Sequence, residues 1–228
     1  MALGYRYGTP EIQVGNLTLD AEALNAYIAR AESAYDKPQV EYAMATKAYG
    51  DPSLSVDQMP ELQLDCSGYA WWSTYRKRKS DIWDAGVGDG WADYWIEVPD
   101  PIPGSVVRYG PPPGASNGHV GVVIGNDGGT FQTLDSTDSP SPPRKGSIRY
   151  TADGRTRWYK GPQTRFVVSR EAVVAVDGKP VKRPLNVWLA AAKRPILSAL
   201  TVLAIAGGAY WVYRRRKQGL PLLPTRGA

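Results

Sequence analysis

A single cysteine and a single histidine leave this chain no internal disulfide and no ordinary structural zinc site. Its 228 residues must therefore fold on the strength of a core. The material for one is present: 43% of residues are hydrophobic, with eight tryptophans and fourteen tyrosines, unlike a disordered chain. The length suits one domain plus extra segments. The lone thiol is then either a small buried hydrophobe or a reactive group. No metal or cofactor is expected from the pattern.

The net charge of +5 is unevenly spread. Residues 179–228 hold ten of the 27 basic residues and no Asp or Glu, leaving residues 1–178 with 17 basic against 22 acidic, a net −5. The high pI thus gives no reason to expect a nucleic-acid partner. The basic residues of the tail bracket a 19-residue uncharged stretch, 195–213, between Lys193-Arg194 and Arg214-Arg215-Arg216-Lys217. A helix of that length reaches roughly 28 Å, close to the hydrocarbon thickness of a bilayer. Tyr210, Trp211 and Tyr213 stand at one boundary, where an aromatic belt belongs. The expectation is one C-terminal transmembrane helix with a lipid membrane as partner, followed by a basic tail at 214–228.

Along the rest of the chain, residues 1–18 read as an irregular or short-strand entry. Asp20 is a candidate N-cap for a helix to about Ala34, with Ala21, Leu24, Ile28 and Ala31 at helical spacing. A second helix is predicted over Pro38–Ala48, ended by Gly50-Asp51-Pro52. Asp65 is the expected cap of a helix running to about Lys77. Strands are predicted at Ser105–Tyr109, His119–Gly125, Thr130–Asp135, Ile148–Thr151, Trp158–Tyr159 and Phe166–Val168. Residues 170–194 read as a linker, with a short interfacial helix at Leu185–Ala192.

Two motifs carry chemistry. Cys66 lies in Leu64-Asp65-Cys66-Ser67-Gly68-Tyr69, where the chain enters a predicted helix. A thiol attacks carbonyls as thiolate, and the free N–H groups and dipole of a helix N-terminus favour that charge. The same N–H groups suit the oxyanion of a tetrahedral intermediate. His119 opens the run Gly118-His119-Val120-Gly121, where it can serve as the base, with Gly121 leaving room beside the ring. A base needs a third group to fix its tautomer. The neighbouring strand offers Thr133 and Asp135 on one face and Gln132 on the other. Asp135 is the favoured orienter and Gln132 the alternative. Tyr69, Trp71, Trp72, Trp83, Trp91 and Trp95 either line a cleft or fill the core; Tyr69 and Trp72 are taken as candidate substrate contacts.

Together Asp65-Cys66-Ser67-Gly68, Pro103-Gly104 before a strand and Gly118-His119-Val120-Gly121 resemble the NlpC-type papain-like cysteine peptidases, to which the CHAP amidases are related. The resemblance covers roughly residues 38–168. It implies an α+β papain-like domain with N-terminal helices packed on a small antiparallel sheet. It also implies Cys66 as nucleophile, His119 as base, Asp135 at the third polar position, and bacterial peptidoglycan peptides as substrate. Pro-Gly-Asp in the family reads Pro103-Gly104-Ser105 here, and an upstream Tyr-x-Trp-Gly-Gly run shrinks to Tyr49-Gly50, making Tyr49 a third candidate substrate contact. The bond cleaved, endopeptidase or amidase, stays open.

The expected organisation is a helical extension at 1–37, a peptidase-like domain at 38–169, the linker at 170–194, and the anchor. The N-terminus carries no apolar signal core, so synthesis in the cytosol is expected. A wall hydrolase anchored by its C-terminus fits a virion with an internal membrane, presented to the next host cell; insertion in a bacterial cytoplasmic membrane is the alternative. Two other readings stand beside the hydrolase. One is a non-catalytic virion or membrane structural protein with a wall-binding module, and the other a membrane-bound thiol acyltransferase.

Overall fold

Asp20 stops one strand and starts a helix: its carboxylate accepts from the N–H of Ala23 at 3.0 Å, satisfying a first-turn donor of α1 (Ala21–Ser33). This is the helix read from the spacing of Ala21, Leu24, Ile28 and Ala31, all fully buried. The element is seen in a computed structural model of the chain, which describes residues 4–35, 37, 40–41, 53–58, 62–76, 93–110, 118–127, 130–136, 148–151 and 164–183.

Six antiparallel strands form the main sheet: β5 (Trp95–Val98), β6 (Val106–Tyr109), β7 (His119–Asp127), β8 (Thr130–Ser136), β9 (Ile148–Thr151) and β10 (Arg165–Ser169). Their order is β5-β10-β6-β7-β8-β9. Alternation along the strands sends Val106, Val120, Val122 and Leu134 into a core shared with Ile28 and Ala31 of α1 and with α2 (Cys66–Ser73). Val107, Tyr109, Val123 and Phe131 pack together in a second cluster. The α+β class and the antiparallel sheet agree with the sequence reading.

Besides β5, which no predicted strand covers, three boundaries differ from it. The helix predicted over Pro38–Ala48 is displaced at its start by β3 (Val40–Glu41), which pairs in parallel with β4 (Leu62–Gln63); the remainder lies outside the described residues. Helix α2 ends at Ser73, not near Lys77. Tyr75 adopts φ +59, its N–H bonds Trp72 O, and Arg76 N–H bonds Trp71 O. That is a Schellman stop in which a tyrosine takes the position glycine usually holds, so no glycine signalled it.

The third difference concerns the ends. The entry segment forms a hairpin of β1 (Glu11–Val14) and β2 (Leu17–Asp20), and β2 pairs with β11 (Val173–Val176), which pairs with β12 (Lys179–Pro180). The supposed N-terminal extension and the first part of the supposed linker thus make one four-stranded sheet, β1-β2-β11-β12. Asp177 and Gly178, at φ +50 and +72, form the two-residue loop of the β11–β12 hairpin, the Asp-Gly signature of a type I′ turn. Arg183 bonds the Asp20 carboxylate at 2.7 Å and so ties this return to the cap of α1. Leu24 and Tyr27 of α1 pack with Leu19, Val168 and Val173, placing α1 between the two sheets.

The chain divides into units 1–193 and 194–228, and the described residues all belong to the first. Among the described residues no helix is long and apolar enough to cross a membrane. The stretch 195–213, the basic tail at 214–228, the interfacial segment 185–192 and the strand at 158–159 lie outside them.

Candidate active site

Helix α2 is built around its first residue. Asp65 accepts from the N–H of Gly68 at 2.6 Å, which fixes the helix start immediately before the thiol. Such a cap contributes about 1 kcal/mol. From Ser67 to Ser73 every residue is buried, so the helix is held from all sides rather than along one stripe. Trp71 packs edge-on against Trp95 with ring centroids 5.0 Å apart, and aromatic pairs of this kind add about 1 kcal/mol beyond their buried area. Arg30 closes the other end, donating to Trp72 O at 2.8 Å with its guanidinium over the rings of Trp72 and Tyr75. A cation against the final carbonyls suits the helix dipole. Cys66, at the opposite end, is only partly buried.

The base comes from the sheet. Register sets His119 opposite Tyr109, whose ring stacks on the imidazole at 6.0 Å between centroids. His119, Gly121 and Val123 share one face of β7, and Thr133 and Asp135 share the matching face of β8. His119 Nε2 lies 3.5 Å from Asp135 Oδ1, and His119 also hydrogen-bonds Cys66. Ser136, next to Asp135, donates through Oγ to Leu64 O at 2.7 Å. That bond joins the strand carrying the carboxylate to the residue just before the cap of α2, across the gap the pair must span.

The room left by Gly121 is used by the carboxylate rather than by the imidazole. A methyl at Gly121 would meet Asp135 Oδ1 at 2.0 Å, far inside contact distance. Gln132, the alternative orienter, fills the corresponding space over Gly125, where a methyl would meet its Oε1 at 1.9 Å. A bulge between Val123 and Gly125 separates the two environments. Asp135 is the one that reaches the histidine.

The His119 side chain is 12% exposed. Burial alone would lower its pKa, but hydrogen bonds and charge from Asp135 and Cys66 outweigh burial and raise it from 6.5 to about 10. Below pH 6.5 folded and unfolded chains both hold the proton, and the stabilisation is complete. Between 6.5 and about 10 only the folded chain holds it, so stability falls as pH rises through that window. Calorimetry from pH 7 to pH 10 is expected to show the unfolding midpoint of the wild type dropping more steeply than that of His119→Ala. Equal slopes would remove the protonated imidazole from the account.

The aromatic candidates divide differently from the expectation. Tyr69 and Trp72 are 0% exposed: Tyr69 donates its hydroxyl to Ala31 O at 2.9 Å, and Trp72 lies between Tyr69 and Arg30. Both are core residues here, and neither presents a surface to a ligand. Trp71 and Trp95 are likewise buried in the same core. Tyr49, Trp83 and Trp91 lie outside the described residues. Ser136 carried no signal of its own in the sequence, since its bond depends on a partner distant along the chain, whereas Gly121 signalled the room but not the carboxylate that fills it.

A half-buried thiol at a capped helix N-terminus, hydrogen-bonded to an imidazole that a buried carboxylate contacts, is the arrangement thiol nucleophiles require. Residues 56–137 match the CHAP domain family, about a third of the chain, and the matched span contains Cys66, His119 and Asp135. Among solved structures, NlpC1 from Trichomonas vaginalis is similar at 15% identity, covering 71% of this chain and 47% of that one, with a TM-score of 0.34. NlpC2 from the same organism is similar at 16% identity, covering 75% and 51%, with a TM-score of 0.33. The aligned portion is thus about half the length of each of those structures. No curated protein matches the sequence.

Proposed function

We propose that this chain is a peptidoglycan hydrolase that cleaves wall-peptide amide bonds by Cys–His thiol catalysis. The observation that carries the reading is the meeting of the chain's only thiol and only imidazole, with Asp135 behind the ring. The match of residues 56–137 to the CHAP domain supports the substrate class that the resemblance to NlpC-type peptidases and CHAP amidases implies.

In this mechanism Cys66 gives its proton to His119, and the thiolate attacks the amide carbonyl. Backbone N–H groups at the start of α2 are assigned to the oxyanion. His119 returns the proton to the departing amine, leaving an acyl thioester on Cys66. Water, deprotonated by His119, then releases the acid and restores the thiol. Asp135 keeps the imidazole turned toward the sulfur and stabilises its charged form throughout.

The anchor belongs to the same proposal. Residues 195–213 hold the enzyme in a membrane, that of a phage particle carrying a lipid layer, from which it reaches the wall of the next host. The basic flanks at 193–194 and 214–217 and the length of the uncharged run support this reading. Mass spectrometry of fragments released from purified walls is expected to show new peptide termini and to name the bond; intact peptides with full-length chain present would overturn the hydrolase. Detergent extraction of purified particles followed by zymography tests the location, and absence of the chain from the particles would remove it.

A further inference from the structure

The carboxylate behind His119 is itself held on two sides. Asp135 is 3% exposed, and its two oxygens have different neighbours. Oδ1 faces His119 Nε2 at 3.5 Å, over the bare backbone of Gly121. Oδ2 accepts from the hydroxyl of Thr133 at 2.8 Å. Thr133 is fully buried, two residues earlier on the same strand and therefore on the same face. An aspartate's terminal torsion is broad, so the backbone alone does not choose which way the carboxylate faces. A β-branched threonine is stiff at χ1, and its hydroxyl holds one of the two oxygens in place.

We propose that Thr133 is a positioning residue: its hydroxyl fixes the Asp135 carboxylate in the gap at Gly121 so that one oxygen stays on His119. The proposal rests on the reading of Asp135 as the partner of the imidazole. Asp135 raises the pKa of the ring through its hydrogen bond and its charge, and both depend on the carboxylate staying on His119. With valine at 133, Oδ2 is left buried without that donor. The carboxylate then turns away from the ring, and the support for the imidazolium weakens. Among the described residues, the titratable groups facing the ring are Cys66 from α2, Asp135 from β8 and Tyr109 from β6. Arg149 stands at the register position across from Asp135 on β9.

The experiment needs no substrate. His119 is the only histidine, so the imidazole resonances of histidine-labelled full-length protein report one group. Nuclear magnetic resonance titration of the wild type, Thr133→Ser and Thr133→Val is the comparison. The serine variant keeps the hydroxyl and is expected to titrate like the wild type. The valine variant is expected to titrate lower by about one unit or more, and Thr133→Ala supplies the same reading should valine prevent folding. A hydroxyl-free variant that titrates like the wild type overturns the proposal. So does a serine variant that falls as far as valine, because the effect would then follow packing and not the hydroxyl. A protein inactive on walls whose imidazole still answers to Thr133 removes the hydrolase alone; a lytic protein whose imidazole ignores Thr133 removes only this assignment.

Discussion

Cys66→Ser is expected to fold and to lose the release of wall peptides by at least about a thousandfold. The structure separates the two effects. The start of α2 is fixed by the Asp65 carboxylate and the Gly68 N–H, neither of which involves the sulfur. Cys66 only borders the core that Trp71, Trp72 and Leu64 fill, so exchanging sulfur for oxygen leaves that packing in place. Chemistry fares otherwise. A serine hydroxyl is a far weaker acid and a poorer nucleophile than a thiol, so proton transfer to His119 costs more and attack is slower. Circular dichroism with unfolding curves checks the fold, and mass spectrometry of released fragments checks activity. A folded serine variant that still opens wall peptides would assign the reaction to another group.

Gly121→Ala is the second large effect, and it touches neither the thiol nor the imidazole. The added methyl would sit 2.0 Å from Asp135 Oδ1, so the carboxylate or the strand must move. The backbone of β7 is paired on both sides, to β6 and to β8, which leaves the side chain as the easier part to displace. With Asp135 pushed off, His119 loses the group that fixes its tautomer, a change of the kind that costs on the order of 10²- to 10⁴-fold in kcat. The alkaline limb of the rate profile, expected near the His119 value of about 10, should move toward neutrality together with the loss. Steady-state rates across pH 6 to 11 decide it. An alanine variant with wild-type kcat and an unmoved limb would show that the carboxylate has no part in turnover.

Much of this site is legible in the sequence, for local reasons. The Asp65 cap and the small residues after it announce where α2 starts, and the alternation after His119 announces a strand. Thr133 and Asp135 could be assigned to one face of β8 from period two alone. What failed depended on distant partners. The Schellman stop at Tyr75 lacks the glycine that would have marked it, and the β11–β12 hairpin looked like linker because its strands are only four and two residues long. Its membership in a sheet is decided by β2, at the other end of the sequence. Tyr69 and Trp72 looked available because aromatic residues after a nucleophile suit a cleft as well as a core. Only their packing against Ala31 and Arg30 separates the two.

The rate at which iodoacetamide alkylates Cys66 at pH 7 tests the central pairing most directly, because the chain has no other thiol to confuse the signal. The account predicts that the folded wild type reacts faster than the same chain unfolded, and that His119→Ala loses that advantage. A folded thiol that reacts no faster than an unfolded one, or one whose rate is indifferent to His119, would contradict it.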